Sequence, residues 1–99
     1  MFLEHAEIFI RPGEQEAFEA ALTKALATIT AKAKGVIDYK LHKGVETPER
    51  YILQVHWQTV EDHIVTYYAS PERQIWLANV RPFFAQPPKM EHFTLVVAS

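Results

Sequence analysis

Two hydrophobic periods alternate along this chain, and their order limits its possible folds more than any other feature. From Phe2 to Ile10 the even positions read Phe2, Glu4, Ala6, Ile8 and Ile10, and the odd ones Leu3, His5, Glu7 and Phe9, which predicts a strand with apolar groups on both faces. Pro12-Gly13 turns the chain. Phe18, Leu22, Ala25 and Ile29 then share one helical stripe among strong helix formers. Gly35, able to adopt a left-handed conformation, is the expected end of that long helix. Val36 to Lys43 alternates again, with Ile37, Tyr39 and Leu41 opposing Asp38, Lys40 and His42. After Gly44 and Thr47-Pro48-Glu49, a second arm puts Tyr51, Leu53, Val55 and Trp57 on one face, and the pair reads as a hairpin. Thr59 is the expected cap of a short helix ending near Ala69, with Glu61 and Asp62 in its first turn. Ser70-Pro71 repeats the signal and predicts another helix running toward Phe84. Pro87-Pro88 closes the helical region, and Met90 to Val97 predicts a fourth strand.

The order β-α-β-β-α-β, its second helix split, is ferredoxin-like: an α+β fold with a four-stranded antiparallel sheet and helices on one face. With no repeat or linker, residues 1–99 are expected to form a single domain. Helices on one side leave the other apolar face in water unless a second sheet packs against it, so a homodimer is expected. Ninety-nine residues also bury only a moderate share of their surface alone. The formal charge is −2 and the 10 Lys and Arg are scattered, which argues against nucleic acid as a partner. With zero cysteines there is no disulfide, thiolate metal site or thiol nucleophile, which fits a reducing compartment. Met1 to Ile10 lacks the basic-then-apolar pattern of a secretory signal, and no apolar run approaches the roughly 18 to 20 residues that span a bilayer. The expected location is therefore cytoplasmic, away from membranes.

Four stretches carry a family resemblance. They are I-R-P-G-E-Q-E-A-F at 10–18, G-V-I-D-Y-K-L at 35–41, R-Y-I-L-Q-V-H-W-Q-T-V-E-D-H-I-V-T-Y-Y-A-S-P-E-R-Q-I-W at 50–76, and P-F-F-A-Q-P-P-K-M-E-H-F at 82–93. Together they resemble the antibiotic biosynthesis monooxygenase (ABM) family of dimeric α+β barrels. The resemblance implies a fold, and a range of chemistries: quinol and anthrone monooxygenases that use no flavin or metal, haem-degrading enzymes, signal-processing enzymes, and members without assigned activity.

Cofactor-independent oxygenation needs a base with a pKa near neutral, an apolar chamber for a flat ring, and donors that steady the developing anion. His63, six residues past Trp57, is the preferred base. Periodicity leaves its direction open between the sheet–helix interior and solvent. Trp57 is the second catalytic candidate, as a pocket wall whose indole N–H donates to substrate or dioxygen, with a core tryptophan the competing reading. Tyr51, Leu53, Tyr67, Trp76, Phe83 and His92 form the expected substrate-binding set. His5, His42 and His56 are given structural or solvated roles. No H-x-H, H-x-x-x-H or H-E-x-x-H spacing occurs, so no metal site is expected, and the resemblance to the cofactor-independent members implies no cofactor.

The resemblance has departures. Haem-degrading members carry an asparagine where this chain has Ala6 and a histidine on the late helix, where residues 71–84 contain none, which argues against haem. Anthrone-oxidising members match at Trp57, but their asparagine, tyrosine and arginine fall at Leu53, His63 and Leu77. The expected function is cofactor-independent oxygenation of a small aromatic quinol or anthrone, assisted by histidine. Its alternatives are a non-catalytic dimeric ligand-binding or stress-related domain, and an oxygen-independent isomerase or signal-processing enzyme.

Overall fold

A computed structural model describes residues 1–99. Four strands, β1 (Phe2–Phe9), β2 (Val36–Lys43), β3 (Arg50–Trp57) and β4 (Lys89–Phe93), form one antiparallel sheet in the order β2-β3-β1-β4. Helix α1 (Gln15–Thr28) follows β1, and α2 (Pro71–Val80) precedes β4. The ferredoxin-like α+β architecture expected from the hydrophobic periods is present.

The helix-facing register explains the core. Glu4, Ala6 and Ile8 of β1 pair with Val55, Leu53 and Tyr51 of β3, and all project toward the helices. Phe18 and Leu22 of α1 lie over them with no exposed surface, and Phe18 meets Tyr51 edge-on at 4.9 Å between ring centroids. Burying a side chain of this size stabilises by roughly 1.5–3 kcal/mol, and Phe18→Ala would cost about 3–5 kcal/mol through the hole it leaves.

Several boundaries differ from expectation. Helix α1 stops at Thr28, and a 3-10 turn at Thr30–Lys32 leads on, so Gly35 ends the connection and not the helix. Thr28-Ile29-Thr30 places three β-branched residues in succession, which crowd the preceding helical turn. Gly35 is nonetheless required, because its φ is +86° and a Cβ there would sit 2.1 Å from Asp62 Oδ2. The short helix at Asp62–Tyr67 has π geometry, with Thr59 Oγ1 accepting from Asp62 N at 3.1 Å. Ser70 caps α2 by accepting from Arg73 N at 3.3 Å, and α2 gives way at Arg81–Phe83 to a 3-10 turn. Strand β4 ends at Phe93, four residues short of Val97. Its register with β1 pairs Phe93 with Leu3, so the chain beyond soon outruns its partner.

Candidate active site

Helix α1 roofs the half of the sheet around Ile8 and Tyr51. The other half, floored by the small Ala6, lies under the π-helical turn and α2. Between them is a cavity of about 520 Å³. Ala6, Leu53, Val55, Trp57 and Met90 form its floor, Tyr67, Trp76 and Leu77 its roof, and Phe84, Gln86, Pro87 and Pro88 one side. No helix of the chain is long and apolar enough to cross a membrane.

Four polar side chains gather where the π-helical turn meets the sheet. Glu4 is 9% exposed, and its carboxyl Oε1 accepts from Trp57 Nε1 at 3.0 Å. His63 Nε2 lies 3.3 Å from the same oxygen. The other ring nitrogen of His63, Nδ1, shares a 2.8 Å hydrogen bond with Nε2 of the half-buried His92 on the edge strand. Trp57 and His63 stack at 4.8 Å with 19° between their planes. Three elements set this geometry: β1 presents Glu4 inward opposite Val55 and His92, β3 ends on Trp57, and the Thr59-capped turn delivers His63.

Burial decides how these groups titrate. It disfavours the Glu4 carboxylate and pushes its pKa up to about 7, against the opposing pull of the Trp57 hydrogen bond. Burial also lowers His63 to about 4, helped by the nearby charges of His92 and Arg73. Desolvation therefore keeps this imidazole neutral. Tyr67 is raised to about 12 by burial first and the Glu4 charge second. The Tyr67 hydroxyl and the Trp76 Nε1–H are buried without a hydrogen-bond partner.

The sequence-derived residues divide as follows. His63 points inward, 3% exposed, and Trp57, Leu53, Tyr67 and Trp76 border the cavity with it. His92 reaches the cluster through its bond to His63. Tyr51 does not border the cavity: it lies under α1, and its hydroxyl donates to Glu19 at 2.5 Å. Phe83 is likewise a core residue, packed edge-on against Phe18 at 5.9 Å, and its neighbour Phe84 takes the place at the wall. His56 sits on the opposite sheet face, paired with Asp38 at 2.5 Å. Glu4 was missed, although a carboxyl in register with Ala6, Ile8 and Ile10 is a readable signal. Arg73 and Arg81, which also line the cavity, were missed as well. No group of three or more His, Asp or Glu side chains is placed to hold a metal ion.

A split-helix ferredoxin-like sheet thus carries an acid, an imidazole and an indole at one end of an apolar chamber, the concave, mostly apolar form that small-molecule pockets take. Residues 1–79 match the model of the antibiotic biosynthesis monooxygenase family, and the chain belongs to that family. It is 38% identical over 93 residues to YczJ of Bacillus subtilis (strain 168), covering 94% of this chain and 97% of that protein. A solved structure from Bordetella bronchiseptica with the same family designation superposes with a TM-score of 0.91 at 35% identity, covering 97% of each chain. A conserved protein of Methanosarcina mazei Go1 shares the fold at a TM-score of 0.78 and 18% identity, covering 93% of this chain and 89% of that one.

Proposed function

We propose that this protein is a cofactor-independent monooxygenase acting on a small aromatic quinol or anthrone. In this reading residues 1–99 are one domain that works as a cytoplasmic homodimer. The observation that carries it is the contact chain Trp57–Glu4–His63–His92 at the polar end of a chamber whose other walls are largely apolar. A base there removes a proton from the ring substrate. The anion passes one electron to dioxygen, the radical pair joins through a C–O bond, and loss of water leaves a carbonyl. The overall change is a ring CH₂ plus O₂ giving C=O plus H₂O.

The geometry favours Glu4 over His63 as first proton acceptor. An acceptor with a pKa of about 7 is matched to neutral conditions, whereas an imidazole held near 4 is weakly basic. His63 suits the next step, taking the proton at Nε2 while Nδ1 releases one to His92. An oxygen electrode with a panel of quinols, naphthols and anthrones tests the reading. Uptake with at least one is expected, falling roughly 10²- to 10⁴-fold in Glu4→Gln. Wild-type rates in that variant would remove Glu4 from the role.

The same proton chain favours a second reading, an oxygen-independent isomerase, and turnover persisting under strict anaerobiosis would select it. Dimerisation is supported by the exposed Phe93, Leu95, Val96 and Val97, which border a groove of about 260 Å³ with Met1, Phe2 and Leu3. A monomer in sedimentation at micromolar concentration would contradict it. The absence of cysteine supports the cytoplasmic placement.

A further inference from the structure

The cavity lining is rich in donors and poor in acceptors. Arg73 and Arg81 both line it, and neither guanidinium forms an ion pair or a side-chain hydrogen bond. The buried Tyr67 hydroxyl and Trp76 Nε1–H add two unpartnered donors. Glu4 is the single carboxyl in the lining, and its Oε1 is already engaged by Trp57. Unpaired buried donors and a half-buried bare guanidinium cost free energy unless something fills them.

Arg73 is held in place for this task. Its guanidinium carbon lies 3.9 Å from the centroid of the Tyr68 ring, a stacking that leaves the in-plane N–H donors free. The same Tyr68 ring meets His63 edge-on at 5.1 Å between centroids, which puts the guanidinium beside the polar end of the chamber. Arg81, in the 3-10 turn that follows α2, is exposed to solvent. A guanidinium fixed beforehand loses little freedom on meeting a planar oxyanion, and the pairing is bidentate.

We infer that the cavity takes an aromatic acid, a hydroxyaryl ring whose carboxylate is recognised by the unpaired guanidinium of Arg73 while the ring oxygen meets the buried donors. The inference rests on the aromatic substrate proposed above and does not require that oxygen be consumed.

Calorimetric titration of the oxygen-free protein with 6-hydroxy-2-naphthoate and with 2-naphthol provides the test. The acid is expected to bind about 10- to 100-fold more tightly, the range for hydrogen bonds to a charged group. Arg73→Gln should abolish that preference while leaving naphthol affinity in place. Should that variant not fold, the wild-type preference must shrink as salt rises from about 0.05 to 0.5 M. Equal affinities, binding of neither compound, or a preference that survives in that variant or is insensitive to salt would overturn the inference. An oxygen electrode with the same compounds separates the two ideas. Preference without uptake by any compound defeats oxygenation alone, and uptake without preference defeats acid recognition alone.

Discussion

Replacing Glu4 by glutamine should stabilise the protein in mild alkali and leave it nearly unchanged in acid. Glutamine has the shape of the protonated carboxyl, and its amide oxygen can accept from Trp57 Nε1 as Glu4 does at 3.0 Å. A carboxyl whose pKa rises from 4.5 to about 7 on folding releases its proton more readily in the unfolded chain. The fold therefore loses stability as pH rises from 4.5 toward 7, and the penalty is constant above that. At about 1.4 kcal/mol per pH unit the full penalty is about 3 kcal/mol. Urea denaturation at fixed protein concentration, from pH 4 to 9, reads it directly. The gain of Glu4→Gln over wild type should be under about 1 kcal/mol near pH 5 and about 3 kcal/mol at pH 8.5. A difference that stays constant across this range would refute the buried, proton-retaining carboxyl.

His63→Ala should cost about 2 kcal/mol, since a buried ring stacked on Trp57 is lost; a loss below about 0.5 kcal/mol in the same assay would mean surface behaviour. Because folding lowers the His63 pKa from 6.5 to about 4, the wild type loses stability as pH falls through that window, and the variant's acid limb should be shallower. Trp57→Phe removes the donor that holds the Glu4 pKa down, so an NMR titration of the carboxyl should place it above about 7; a value at or below wild type would contradict the bond's role. Gly35→Ala forces a left-handed residue with a Cβ against the Asp62 side chain, and denaturation should show a loss above 1 kcal/mol, as for Ala at positive φ; no loss would mean Asp62 moves freely.

Alternation and caps made the fold legible. The β3 pattern Tyr51, Leu53, Val55, Trp57 and the Thr59 and Ser70 caps carry their information locally, and each is present. Endpoints set by distant partners were not legible. Met90 to Val97 reads as a uniform strand, yet β4 ends where β1 has almost no residues left to pair. The inward direction of His63 depends on Trp57 stacking and on His92, 29 residues away. Glu4 shows the limit best. Its register was visible, but a buried carboxyl makes sense only beside an indole 53 residues later in the chain.

The backbone at Gly35 works as an abutment for the cluster of indole, acid and imidazole. Its carbonyl accepts from Gln58 N at 2.7 Å, just past Trp57, and its missing side chain makes the space into which Asp62, the neighbour of His63, leans. The loop from α1 to β2 thereby fixes the height at which the imidazole meets the indole. Drift in that loop would shift the imidazole against the indole before it damaged the sheet.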